Sequence, residues 1–304
     1  MADSEPTHVQ PGNYQKLPSP LNHAVFTVLA NQIMKDDDFR SGFCAWLNGV
    51  IQGQNDFIIK DIVDIYVELS EPADNMRMRL CRLDLLVMTQ DGGFCICEVQ
   101  VAQMEHIVPR MLLYFSRHFA GNARVGQTDY AMPKYALISL IDFPHMLFKD
   151  EEQFHLYSTM IVDNAPTKKI TEQLQIHLVS LHQYRALELQ PQQGNVLTTW
   201  MHYFAYGYRD EEEKERLIAM SKSVESLDRN YRGVVSDPVV LDKAWREQAD
   251  IFFYNAELAT AAKKGEDKRA QDIARRMMQR GASPEQVAED TGLPLDLVLK
   301  LTKE

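Results

Sequence analysis

Cysteine is scarce in this chain, with 4 among 304 residues, at positions 44, 81, 95 and 97. None of their spacings is that of a zinc-ligand pair, and four thiols scattered through a chain of this length make no disulfide framework. Cys95 and Cys97 point to one face of a strand and are expected to be small buried residues of a reducing compartment. A Cys-x-Cys metal site would need partners that the sequence does not offer. Long apolar runs are also missing, which excludes a membrane-spanning helix. The stretch through Pro20, rich in Pro, Ser and Gln, lacks the apolar core of a signal peptide and is expected to be a disordered tail. A cytoplasmic location follows as an expectation. Positive charge is in deficit: 32 Lys and Arg stand against 43 Asp and Glu, a formal net charge of −11. A protein gripping nucleic acid by its overall charge is thereby disfavoured, since phosphate contacts supply most non-specific affinity.

Net charge is not patch charge. Much of the acidity sits in three runs, Asp36-Asp37-Asp38, Asp150-Glu151-Glu152 and Asp210-Glu211-Glu212-Glu213. Each is expected to open a helix, where negative charge suits the dipole. Between them the sign reverses, with Arg77, Arg79, Arg82, Arg110, Arg117, His118 and Arg124.

At 45% hydrophobic, the chain can bury one sizeable core and carry a second small unit. Apolar spacing predicts two helices between Leu21 and Ile51, then strands near Ile62–Leu69, Arg82–Gln90 and Phe94–Val101. A long helix through Phe119 and strands near Tyr135–Ile141 and Leu174–Leu181 come next. From Asn195 the pattern turns helical, over Thr198–Tyr208, Asp210–Leu227 and Asp237–Ala262. Trp200, Tyr203, Phe204, Trp245, Phe252 and Phe253 are expected to pack that half. The class is α/β, a mixed sheet flanked by helices and followed by a helical C-terminal region.

The hairpin Arg82–Val101 carries the chemistry. Alternation puts Phe94, Ile96, Glu98 and Gln100 on one face and Cys95, Cys97, Val99 and Val101 on the other. A three-residue loop Asp91-Gly92-Gly93, its last glycine left-handed, would pair Asp84 with Gln100. Glu98 would then lie diagonally from Asp84 on the same face, roughly 7–8 Å away by backbone. Two carboxylates that close repel unless a cation sits between them, and oxygen donors with open positions suit Mg²⁺. The alternative is an exposed acidic hairpin with Glu98 and Gln100 in solvent. Against it, the strand is otherwise apolar and its polar pair shares a face with Phe94 and Ile96.

Asp, a short hairpin, then Glu-x-Gln resembles the core of the PD-(D/E)XK nucleases, in which Gln sometimes replaces the final Lys. The residues after the hairpin sharpen the likeness: His106-Ile107-Val108-Pro109-Arg110-Met111-Leu112-Leu113-Tyr114-Phe115-Ser116-Arg117, then Gly126-Gln127-Thr128-Asp129-Tyr130, then the apolar run Tyr135–Ile141 before Asp142-Phe143. In this order they resemble the PD-(D/E)XK nuclease family transposases, the recombination-promoting nuclease family. Asn22–Leu29, Phe43–Ile51, Ile273–Gly281 and Gly292-Leu293 are similar to that family's other segments. Thr27 stands where members often carry Lys, and only Glu68 and Glu71 offer themselves as an acid before Asp84.

The resemblance implies a restriction-endonuclease-like sheet and a Mg²⁺-dependent DNA endonuclease, with Mn²⁺ as a substitute. Asp84 and Glu98 would hold the ion with the carbonyl of Val99, and Gln100 would orient the attacking water. Arg110, Tyr114 and Arg117 fall near one face of a helix. Arg110 would either order the site by pairing with Glu98 or, like Arg117, contact DNA phosphate. The partner implied is DNA, with no membrane, and a homodimer is left open. The readings kept beside this one are a nuclease-fold module that binds DNA or protein without cutting, and an unrelated metal-binding regulator.

Expected boundaries are a tail over 1–20, the nuclease-like domain over 21–195, a helical region over 196–265 and a helix-turn-helix-like segment over 266–304. In that last segment Ser283-Pro284-Glu285-Gln286 has the makings of a helix start, and Gly281 and Gly292 mark helix ends. Lys263 to Arg280 carries seven basic residues against three acidic, modest for DNA binding. Packing or dimerisation ranks above DNA reading there.

Overall fold

The computed structural model describes residues 17–52, 56–70, 82–103, 106–122 and 132–301. Arg77, Arg79, Arg124, Glu71, Cys81 and the Gly126–Tyr130 segment lie outside the described residues, as do the tail through residue 16 and the side chains of Glu68 and Arg82. Two compact units make up the chain, Met1–Gln248 and Ala249–Glu304.

In the first unit, α1 (His23–Ala30) starts at Asn22, whose side chain accepts from the Val25 N–H. The next helix, α2 (Asp37–Ile51), starts at Asp36, which accepts from Phe39. Strands β1 (Ile62–Ser70), β2 (Arg82–Thr89) and β3 (Phe94–Gln100) form an antiparallel meander. Helix α3 (Ile107–Gly121) then leads to β4 (Tyr135–Ile141), and β5 (His155–Thr159), β6 (Ile161–Val162), β7 (Ala165–Lys169) and β8 (Leu174–Ser180) come after it. The six-stranded sheet runs β1-β2-β3-β4-β8-β5, parallel at β3-β4-β8 and antiparallel at both edges. It is the mixed sheet flanked by helices that the sequence pattern predicts.

Side-chain alternation splits the sheet into two apolar faces. Leu85, Val87, Cys95, Cys97, Val99, Ile138 and Leu140 join the core built on α1 and α2. Leu86, Ile96, Leu137, Ile141 and Leu178 pack with Ile107, Met111 and Tyr114 of α3. Cys95 and Cys97 are buried and free, and burial pushes both thiols upward, away from the thiolate that a metal would need.

Helices α4 (Leu181–Ala186), α5 (Val196–His202), α6 (Glu211–Met220) and α7 (Lys222–Val235) complete the unit with the start of α8 (Pro238–Gln279). Trp200 stacks on Phe39 and Trp46, fastening α5 to α2. The expected helix Asp210–Leu227 is two helices, because Ser221 is extended at φ −153 and ends the first. Asp210 caps α6 as the acidic runs predict. Asp150 does not open a helix; it sits left-handed at φ 64 in a turn leading to β5. The sequence pattern does not predict that strand, which is short, polar and at an edge.

The second unit is the rest of α8 with α9 (Pro284–Thr291) and α10 (Leu295–Leu301), packed through Ala274, Val287, Leu293, Val298 and Leu301. Gly281 and Gly292 are left-handed at the helix ends, and Ser283 caps α9. Helix α8 does not stop at Ala262. Phe252 and Phe253, expected to pack, are 69% and 65% exposed. The apolar cluster of this unit begins only at Ala270, so its two short helices leave the helix before that point uncovered. No helix among the described residues is long and apolar enough to cross a membrane.

At the β5 edge a directed chain of hydrogen bonds enters the sheet. Gln52 meets His155 Nδ1 at 3.4 Å, His155 Nε2 meets His177 Nδ1 at 3.0 Å, and His177 Nε2 meets Gln175 Oε1 at 3.1 Å. Burial lowers His155 to about 4 and His177 to about 3, so both are neutral in the fold. Below pH 6.5 the unfolded chain takes up protons that the folded one refuses, so stability falls as pH drops from 6.5 towards 4. The limiting loss is about 1.4 kcal/mol per pH unit for each histidine. Urea unfolding between pH 7 and 5 should show this decline, with a shallower slope in His155→Gln.

Candidate functional site

The turn between β2 and β3 sets the register on which the site depends. It is shifted by one residue from expectation: Thr89 pairs with Gly93, N–H to oxygen 2.9 Å, and the loop is Gln90-Asp91-Gly92. Gly92 is the left-handed residue, at φ 76. Gly93 follows the loop, just ahead of β3, where an added Cβ would meet the Phe57 ring at 2.6 Å. Met88 therefore pairs with Phe94, and Leu85 with Cys97. One step further, Asp84 faces Glu98 directly, not diagonally. Because the slip moves the pairing by two, the acids keep their common face.

At this step the ladder gives way to side chains. The Asp84 N–H donates to Glu98 Oε1 at 3.1 Å, and the Val99 N–H donates to Asp84 Oδ2 at 2.9 Å. Each acid thus satisfies the backbone of the other's strand. Asp84 is 3% exposed and Glu98 1%. The second oxygen of Glu98 accepts from Gln100 Nε2 at 3.3 Å and from Arg110 at 3.2 Å. Arg110 is braced by Tyr114, one turn along α3, whose hydroxyl lies 2.5 Å from Nε. Of the two roles expected for Arg110, the pairing with Glu98 is the one seen. Arg117 lies half-buried about 10 Å further along the same helix. Val99 reaches Asp84 through its N–H.

Sequence reasoning missed two members of the cluster. His23, the first residue of α1, places Nε2 3.2 Å from Asp84 Oδ1 and Nδ1 3.6 Å from Glu247 Oε1. Glu247, on α8, is fixed by accepting the Ala24 N–H at 2.9 Å. Positions 23, 84 and 247 carry no common spacing signal; only the fold joins them. Thr27 points elsewhere, its hydroxyl donating to the Ala24 carbonyl at 3.3 Å.

Electrostatics follow from this crowding. Burial, then the charge of Asp84, pushes the Glu98 carboxyl upward, while Arg110 and the Asp84 N–H pull it back. Hydrogen bonds to Asp84 and Glu247 hold His23 up at about 9 despite burial, so it is an imidazolium at neutral pH. Among the described residues no group of three or more His, Cys, Asp or Glu is arranged to hold a metal. The donors present are two buried carboxylates and an amide, all oxygen and doubly acidic. That set fits a hard divalent cation which keeps several of its waters, and does not fit one needing a protein cage.

The model of the PD-(D/E)XK nuclease family transposases matches residues 43–232, more than half of the chain. The chain belongs to that family. No curated protein matches it, and no solved structure does. PD-(D/E)XK nucleases generally use divalent metals, which agrees with the donor set found. Asp84, Glu98, Gln100 and Arg110 fall inside the matched span, whereas His23 and Glu247 fall outside it.

The link from α1 to α8 through His23 predicts energetic coupling. His23→Ala and Glu247→Ala should each destabilise by about 1–2 kcal/mol, as part-buried hydrogen bonds to charged groups do. The double variant should lose less than the sum, read as an interaction energy in urea unfolding.

Proposed function

We propose that this family member is a Mg²⁺-dependent DNA endonuclease that hydrolyses phosphodiester bonds in the cytoplasm, with Mn²⁺ accepted in place of Mg²⁺. The observation that carries the proposal is the buried pair Asp84 and Glu98, face to face where the strands part. A divalent cation there would lower the pKa of an attacking water and neutralise charge on the phosphate.

The chain's own groups then divide the work. Asp84 and Glu98 hold the ion through their carboxylates, with the Val99 carbonyl as a third oxygen. Gln100 offers an amide that orients water but brings no charge. Arg110, anchored on Glu98 and about one third exposed, supplies that charge and presents a guanidinium to phosphate. Arg117, further along α3, extends the basic face along the DNA backbone. His23 is a positioning residue, holding Asp84 in place against Glu247.

A second reading has an observation of its own. All four carboxylate oxygens of the pair already accept an N–H in this structure, so the cluster stands without a cation. A nuclease-fold module that binds DNA or protein without cutting would look the same.

Cleavage separates the two readings. Alanine at 84 or 98 would strand a backbone N–H, so amide substitutions that keep an acceptor are the better probes. Wild-type protein should nick supercoiled plasmid in Mg²⁺ and lose this in EDTA. Asp84→Asn and Glu98→Gln should reduce nicking at least a hundredfold with unchanged circular dichroism. Undiminished nicking by both variants would end the assignment, and no nicking by wild type in Mg²⁺ or Mn²⁺ would favour the module.

A further inference from the structure

Ser139 stands in β4 directly beside Glu98 of β3, in parallel register. The pairing places Asp84, Glu98 and Ser139 in one row across three adjacent strands, on the face that α3 covers. Neighbouring strands lie about 4.8 Å apart, so the hydroxyl is on the flank of Glu98 turned away from β2. Its company on that face of β4 is Tyr135, Leu137 and Ile141, all buried. The Tyr135 hydroxyl has partners in His118, at 2.9 Å, and Asn122, at 3.0 Å. The Ser139 hydroxyl, on a residue 0% exposed, has no hydrogen-bond partner among the described residues.

A buried hydroxyl left unpaired destabilises a fold, and alanine would fill the same space without that penalty. The orphan is therefore informative, and its position says of what. Glu98 turns its oxygens towards the Asp84 N–H, Gln100 and Arg110. To share a cation with Asp84, the carboxylate must turn a lone pair towards it, which re-aims the oxygens within that donor set. One donor without a partner waits on its other flank.

We propose that Ser139 is a positioning residue of the site: its hydroxyl donates a hydrogen bond to the Glu98 carboxylate when a divalent cation is bound, fixing the orientation in which Glu98 ligates. The inference rests on the metal reading above and adds a residue to it. Outer groups that orient a ligating carboxylate typically change metal affinity by about 10- to 100-fold when removed.

The test uses the full chain, with Mn²⁺ titrated calorimetrically and the metal-free melting temperature measured alongside. Ser139→Ala should melt at or above the wild-type temperature without metal, yet bind Mn²⁺ about tenfold more weakly. Ser139→Cys, close in size and a weaker donor, should fall between. Wild-type Mn²⁺ affinity in Ser139→Ala would make Ser139 a bystander and overturn the inference while leaving the metal reading standing. Equal losses of affinity and melting temperature in both variants would mark a packing role and overturn it too. Absence of Mn²⁺ binding by the wild type would remove the metal reading and this inference together.

Discussion

Where β2 and β3 stop pairing backbone to backbone, two acids take over the ladder. Asp84 receives the N–H of Val99 and Glu98 receives the N–H of Asp84, so the hairpin closes through its carboxylates. A buried carboxylate needs donors, and a strand end leaving its partner needs acceptors; here each need answers the other. The arrangement fixes both side chains to the sheet, and with it the separation between them. It also means that the acids cannot be treated as ornaments on a finished scaffold. Removing either one unpairs a backbone group as well as a charge.

From that exchange the rest of the cluster follows as charge balance. Two carboxylates in apolar surroundings demand cations, and they come from distant parts of the chain: Arg110 from α3 and His23 from α1. His23 is itself balanced by Glu247 on α8. The hairpin thereby becomes the point at which the first helix, the crossover helix and the start of the long helix are tied together. The family match spans residues 43–232, so this tie is made partly by segments beyond it.

Most strands of this fold are legible because their faces differ. Cys95, Cys97 and Val99 meet one layer while Ile96 and Glu98 meet the other, and a period of two survives in the sequence. The turn was legible in type but not in position. Two adjacent glycines fit the same loop in two registers, and local sequence does not choose between them; in the fold Gly93 lies against Phe57, with no room for a side chain. The edge strand β5, His-Leu-Tyr-Ser-Thr, has too few apolar residues to announce itself. Helix α8 runs through Lys263, Lys264 and Gly265, which locally read as an end. Asp84, Glu98, Gln100 and Arg110 could be gathered from local spacing and family likeness. His23 and Glu247 could not, because residues 224 positions apart in sequence meet only once the helices have packed. Ser139 was invisible for a different reason: a serine in a strand acquires meaning only when its lack of a partner can be seen.

The neutral Gln100 poses the sharpest question about charge, and the geometry answers part of it. Strand β3 brings an amide to the acids, and no cation of its own. Yet the amide of Gln100 and the guanidinium of Arg110 converge on one oxygen of Glu98, at 3.3 and 3.2 Å. Positive charge is thus present at the acid, delivered by a helix instead of by the strand. A guanidinium keeps its proton at every working pH, so this cation cannot double as a proton acceptor as a desolvated lysine can. With an amide on the strand and a guanidinium on the helix, neither group at Glu98 can take a proton from water. If the pair acts as proposed above, activation of water there would fall to the bound cation, with Gln100 and Arg110 left to orient and to supply fixed charge.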